Sequence, residues 1–392
     1  MNCSALKKLL IVIPGKMPTV DIITRTLHYL PHYELKIVTE NTLSIKDVFS
    51  GHYILLFMRL CSPSLQPLLK SLIRFNIKYL YYLDDNFWEI KGNNPLANYH
   101  QHPSVLKTLT DFVEHAYCVV TGSEQLKNYV KQYQKNTIHM KAAFSFDLLK
   151  NIQKAPSSDK IKILYSGSQY RCQDFSCVIP ALKKISEDYQ EKISIHFYGY
   201  IPEALKTLNN IYFDENFYPY DDFIKEQYRM GFDIGLAPVA DLLSNRAKSN
   251  LKYREYGACG IAGIYTDQPP YSDCIQNQET GILVQQTTEA WYHALKNLIE
   301  NVNLRRHISS MAYKDIFTNY QHQNLVPAWQ ELFDKLPVNK KPVGTMVFYS
   351  SYDKIAQVVL SLFYKIRRVG SYARYHGILF TCKKIIKALS HE

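Results

Sequence analysis

The sequence lacks several features that would settle its class at once. Its longest apolar runs, such as Leu9–Pro14 and Val358–Leu360, fall far short of the ~20 residues a membrane-spanning helix needs. The stretch Met1–Ile13 carries two lysines but no small-residue cleavage site, and it continues directly into folded-looking sequence, so no signal peptide is expected. Cysteine is scarce and scattered. Of eight residues, only Cys172 and Cys177 lie close together, and no second pair stands at metal-ligand spacing. Reduced thiols in a cytoplasmic protein, with no metal site, are the expectation. Glycine is also thin, at 15 in 392 residues. The first apolar strand runs into Pro14-Gly15-Lys16-Met17-Pro18, which is neither G-x-G-x-x-G nor a P-loop and argues against a nicotinamide dehydrogenase. What is present is ordinary for folded domains. A chain 46% hydrophobic and 21% charged is not disordered, collagen-like or coiled-coil, and its length suits two domains.

The charge is uneven. Residues 338–392 hold ten Lys and Arg against Asp353 and Glu392, a net of +8, which leaves only +3 of the total +11 for the rest. A near-neutral body argues against a protein whose main surface grips nucleic acid. Within the tail, Ile355, Val358, Val359, Leu362, Phe363 and Ile366 recur at helical spacing, as do Ile378, Leu379, Cys382, Ile385, Ile386 and Leu389. The segment Gly370–Gly377 separates the two stretches. Basic flanks and interleaved tyrosines fit helices lying on an anionic membrane surface. Amphipathic helices docked on the body, or a tail that binds nucleic acid, are the alternatives.

Upstream of the tail, continuous apolar strands alternate with amphipathic helices, as in a parallel sheet covered on both faces. The pattern runs from Leu9 to Gln134, breaks at the polar stretch Gln153–Asp159, and restarts at Ile161. The predicted class is α/β, with two Rossmann-like domains in tandem facing a cleft.

The most informative segment is Asn245-Arg-Ala-Lys-Ser-Asn-Leu-Lys-Tyr-Arg-Glu-Tyr-Gly-Ala-Cys-Gly260. Read as one helix from Asn245 to Tyr256, it puts Lys248, Lys252 and Glu255 on one face. Arg246 and Lys248 then sit at the helix N-terminus, where the dipole disfavours cations unless an anion binds there. A diphosphate is such an anion, and Glu255 could accept from a ribose diol. An exposed helix with Glu255 paired to a lysine fits the spacing equally.

The order of these pieces resembles the donor-binding domain of the GT-B retaining glycosyltransferases, family 4 and its relatives. The matching pieces are Asp233-Ile-Gly-Leu-Ala-Pro238, the segment above, Pro269-Pro-Tyr and Glu279-Thr-Gly-Ile-Leu-Val, together with Ser166-Gly-Ser168 and Tyr198-Gly199. The N-terminal half matches only in its strand–helix pattern and in Tyr81-Tyr-Leu-Asp-Asp-Asn-Phe-Trp88.

The resemblance implies an acceptor-binding domain over residues 1–154, a nucleotide-sugar-binding domain over 160–318, a helix crossing back over 319–337, and the basic tail 338–392. It implies transfer of a sugar from a nucleotide-diphosphate donor to a glycan or lipid-linked acceptor, with retention, in polysaccharide or glycolipid synthesis. Gly167 and Ser168 would form the turn facing the diphosphate. Arg246, Lys248, Ser249 and Lys252 would surround it, Lys252 taking part in the chemistry, and Glu255 would hold the ribose. Arg171, in the loop after Ser168, is a further candidate for the diphosphate, and a plain surface arginine fits that position equally. No metal or other cofactor is expected if these cations neutralise the departing diphosphate. Two positions depart from the family pattern. Ala247 replaces the first acid of its Glu-x7-Glu pair, and the strand that often ends near a functional His ends at Asp84-Asp85.

Asp84 and Asp85 are the catalytic candidates of the acceptor side, and since neighbours on an extended segment point opposite ways, one of them is expected to face the site. His100 and His102, read as lying in a polar loop, are weaker candidates. The expected setting is cytoplasmic, peripheral on the inner membrane face. The rivals are a nucleotide-sugar epimerase and an inactive membrane scaffold.

Overall fold

The computed structural model describes residues 6–156, 158–216 and 218–342, with isolated residues between 362 and 382. It divides into two compact units. The first holds the chain up to Val20, Leu30–Met140 and the chain from Ala328, and the second holds Asp21–Tyr29 and Lys141–Pro327. The polar stretch around Ala155 lies within the second, where the Ala155 N–H donates to Arg229 O at 2.7 Å.

The first unit is built on six parallel strands: β1 Lys7–Ile13, β2 Tyr33–Thr39, β3 Tyr53–Met58, β4 Leu80–Leu83, β5 Cys118–Thr121 and β6 Thr137–His139. Their order is β2-β1-β3-β4-β5-β6. Leu9, Leu10, Ile11 and Val12 are all fully buried, which is why β1 reads as an unbroken apolar run. Helix Gln66–Arg74 buries Leu68, Leu69 and Leu72, and helix Pro103–Glu114 buries Val105, Leu109, Phe112 and Val113. Trp329 and Phe333 join this core from helix His322–Lys335, the Trp329 ring 6.4 Å from that of Tyr82.

The stretch around His100 is not a loop. Asn94 caps a helix Pro95–His100 through its side chain, and the His102 imidazole accepts from the Ser104 N–H to cap the next helix. Proline follows each cap at a first helical position, where its missing N–H costs nothing.

The second unit repeats the plan with β7 Ile161–Ser166, β8 Ile193–Tyr198, β9 Ile211–Asp214, β10 Ile234–Ala237, β11 Ala262–Thr266 and β12 Ile282–Val284. All are parallel, in the order β12-β11-β10-β7-β8-β9. One side of the sheet packs Val178, Leu182, Ile185, Trp291, Leu295 and Leu298 from two helices. A second core cluster is rich in tyrosine, with Tyr253, Tyr256, Tyr265 and Tyr271 all buried.

Most of the 338–392 tail, and with it the membrane-surface expectation, lies outside the described residues. Among those described, Gly370 and Tyr372–Arg374 are helical, where the sequence suggested a break. No helix among the described residues is long and apolar enough to cross a membrane.

Candidate functional site

In an open parallel sheet, ligands bind beyond the carboxyl ends of the strands where the strand order reverses. In the second unit that point lies between β7 and β10, since β7 connects onward to β8 on one side and pairs with β10 on the other. The residues leaving β7 are Ser166, Gly167 and Ser168.

Lys252 reaches this edge from helix Leu251–Cys259. Its ammonium donates to Ser166 Oγ at 2.6 Å and to Glu255 Oε2 at 2.7 Å. The Phe223 and Tyr256 rings lie 5.5 and 5.9 Å from it, each offering a π face to the charge. Glu255 is almost fully buried, and its backbone carbonyl accepts from Gln227 Nε2. A buried carboxylate at the strand ends, with one oxygen held by a lysine, can orient a diol, and the lysine can meet an incoming anion.

The expected single helix is two. Helix Leu243–Arg246 ends at Ala247, and helix Leu251–Cys259 begins after Asn250, whose ψ of 39° is not helical. The first piece is held by buried Asn245, which donates to Asp174 Oδ1 and Ala240 O. The side chain of Asn250 caps no amide. It accepts from Arg254 Nε and donates to Tyr320 OH. Lys248 and Ser249 therefore lie half-buried in the connection between helices, and Lys248 does not share a helix face with Lys252 and Glu255.

The arginines are engaged within the protein. Arg246 is bidentate on Asp241, at 2.5 and 2.8 Å, and both are exposed. Arg171 donates to Asp174 Oδ2 at 2.7 Å, while Asp174 Oδ1 also accepts from the Ala240 N–H. Burial works against the Arg171 charge, but Asp174, with Tyr165 and Tyr271, holds the guanidinium above its ordinary pKa. Arg171 and Asp174 thus tie the β7 turn to the β10 loop. Gly167 donates its N–H to Tyr198 O at 3.1 Å, so that amide is already committed.

In the first unit the sequence missed Arg59. It follows β3 with φ at 55°, and its N–H donates to Tyr82 O. Its Nη1 lies 2.6 Å from both oxygens of buried Asp84, its Nη2 is 3.5 Å from Asp85 Oδ2, and its guanidinium lies 4.8 Å from the Phe87 ring centre. The two carboxylates therefore do not point apart. β4 ends at Leu83, so the alternation of a strand no longer holds, and both turn toward one cation. Asp85 keeps a quarter of its side chain exposed and Asp84 a twentieth. His100 is buried and stacked on Phe87, with centroids 4.2 Å apart. Arg59 leaves no local pattern, because its partner lies 25 residues away.

No family model and no curated protein matches the sequence. Solved structures do. Sucrose-phosphate synthase from Thermosynechococcus elongatus matches with a TM-score of 0.61 at 12% identity, covering 84% of this chain and 98% of that one. HepE of Anabaena, crystallised with UDP and glucose, matches with a TM-score of 0.60 at 12% identity, covering 84% and 100%. TarM matches with a TM-score of 0.53 at 13% identity over 73% of this chain, which spans 55% of TarM's length. The fold is GT-B, two Rossmann-like units in one chain, as the sequence predicted. At this identity the likeness is one of fold.

Proposed function

We propose that this chain is a glycosyltransferase taking a nucleotide-diphosphate sugar on its second unit and an acceptor on its first. The observation that carries the reading is the Lys252–Ser166–Glu255 arrangement at the strand-order reversal of the second unit. Departure of a nucleotide diphosphate builds negative charge as the sugar gains oxocarbenium character, and a cation fixed at the leaving oxygens lowers that barrier. Lys252 is the residue placed for this role. Lys248 and Ser249 flank the donor in this reading, Gly167 and Ser168 shape its turn, and Glu255 takes the ribose. Arg246 and Arg171 act through their partners Asp241 and Asp174, as braces of the loops around the donor. Lysine supplies the countercharge, so we propose transfer without a metal ion, with retention at the anomeric carbon.

On the first unit we assign the acceptor contact to Asp85, and to Asp84 the task of holding Arg59. The basic tail supports a lipid-linked or glycan acceptor handled at the inner membrane face, and the scattered cysteines support a cytoplasmic setting. HepE was crystallised with UDP-glucose, which makes UDP-sugars the first donors to test. The test supplies labelled UDP-sugars and a membrane lipid extract to the full chain. Label in a lipid or glycan product supports transfer. An isomerised but intact donor would point to an epimerase, and no turnover with any donor to a scaffold. Removing residues from Thr345 onward should abolish liposome flotation if the tail is the membrane contact.

A further inference from the structure

Two tyrosine hydroxyls of the second unit, Tyr165 on β7 and Tyr265 on β11, are buried with no hydrogen-bond partner among the described residues. A buried polar group left unpaired costs stability, so each needs a reason. Each presses on a glycine two residues away, Tyr165 on Gly167 and Tyr265 on Gly263, but in different surroundings. Tyr265 is enclosed in the tyrosine core, its ring 4.9 Å from that of Tyr271 and 6.1 and 6.2 Å from those of Tyr253 and Tyr256. Tyr165 is 3% exposed, but its hydroxyl presses against Gly167, in the turn that leaves β7. A Cβ placed on Gly167 would lie 2.8 Å from Tyr165 Cζ and closer still to the hydroxyl oxygen. Outside this contact Gly167 is half-buried and Ser168 exposed, so the hydroxyl lies directly beneath an exposed turn.

That turn is short of donors. The Gly167 N–H is committed to Tyr198 O, and the neighbouring Gly199 N–H to Asp214 O at 3.0 Å. A Cβ on Gly199 would lie 2.7 Å from Gly167 O, so the turn is clamped from that side as well. With both glycine amides committed, an anion arriving here draws on Lys252 beside Ser166 and on any further donor that reaches the turn. Arg171 and Asp174 lie close enough to act on the Tyr165 hydroxyl, and Tyr256 feels both Glu255 and Tyr165. Burial raises the Tyr165 pKa above that of a free phenol, so the group keeps its proton.

We propose that the Tyr165 hydroxyl donates a hydrogen bond to the diphosphate of the bound nucleotide at the Ser166–Ser168 turn, which makes Tyr165 a binding residue of that site. The inference rests on the donor-site reading above. It gives Gly167 a reason: any side chain there would displace the hydroxyl from the turn. The phenol O–H becomes the donor and a phosphate oxygen the acceptor, and the loss of stability in the free protein is recovered when ligand binds.

Tyr165→Phe removes only the oxygen, and Tyr265→Phe does the same in the core. Calorimetric titration of wild type and both variants with UDP, GDP and ADP separates the roles, with melting curves to confirm folding. Both variants should melt at or above the wild-type temperature, since each loses an unpaired polar group. Tyr165→Phe should bind its nucleotide about ten- to a hundred-fold more weakly, as expected for a hydrogen bond to a charged group, while Tyr265→Phe binds as wild type. Wild-type affinity in Tyr165→Phe, or an equal loss in Tyr265→Phe, overturns the inference and leaves the donor site standing. If the wild type binds none of these three and not dTDP either, the donor-site reading falls and this inference with it.

Discussion

Lys252 and Glu255 form an ion pair one helical turn apart, with only 17% and 2% of their side chains exposed, and the same ammonium also donates to Ser166. A pair this buried belongs to the fold as well as to the site. Removing the lysine alone strands a carboxylate in a low-dielectric pocket, which costs about 3 kcal/mol or more. Lys252→Ala should therefore lower the melting temperature. Lys252→Met with Glu255→Gln should recover most of that loss while still failing to bind nucleotide. Thermal melts beside nucleotide titrations check both halves.

Arg59 and Asp84 make a parallel case in the first unit. Arg59→Met takes the cation away from the buried Asp84 carboxylate and should destabilise by about 3 kcal/mol, more than Asp84→Asn does. The double variant should be more stable than Arg59→Met alone, since both charges are then gone. Urea unfolding of the four proteins gives the coupling directly.

Acid should weaken the second unit through two histidines. His322 bonds Thr26 Oγ1 at 2.9 Å and Ser145 Oγ at 2.7 Å. Burial, then Arg25, lower its pKa from 6.5 to about 4, with Arg254 adding to the shift and Asp147 opposing it. His196 is lowered to about 4 by burial, then by Lys162. Between those values the unfolded chain takes up protons that the folded one refuses, so stability is complete above pH 6.5 and falls as the pH drops toward 4. His322→Asn or His196→Asn should flatten the fall in melting temperature across that window.

Gly257 sits where helix Leu251–Cys259 crosses helix Val302–Asn319. A Cβ there would lie 2.8 Å from Ile316 Cγ1 and 3.1 Å from Ala312 O. Gly257→Ala should force the helices apart and cost about 1–3 kcal/mol, read from chemical unfolding.

Much of the architecture was legible in the sequence because its signals are local. Buried parallel strands such as Leu9–Val12 are unbroken apolar runs, and helices such as Thr288–Glu300 keep a 3.6-residue apolar period. The errors arose where a local signal was misread or a distant partner decided. Asn94-Pro95 and His102-Pro103 look like loop, yet each is a cap followed by proline. The break after Ala247 depends on Asp174 holding Asn245 from 71 residues away, and the grouping of Asp84 and Asp85 depends on Arg59. The Lys252–Glu255 pairing is legible because its spacing on one helix is itself local. The acids that engage Arg171 and Arg246 are not legible in that way.

We propose that the β7–β10 edge binds a nucleotide diphosphate through Lys252. The direct measurement is a titration of UDP, GDP, ADP and dTDP into the wild type and into Lys252→Met with Glu255→Gln, followed by melting temperature. At 100 times its dissociation constant, a ligand stabilises the native state by ~2.7 kcal/mol, a clear shift. The account predicts a saturable rise with one of the four for the wild type and none for the double variant. No rise with any nucleotide, or an equal rise in both proteins, would contradict it.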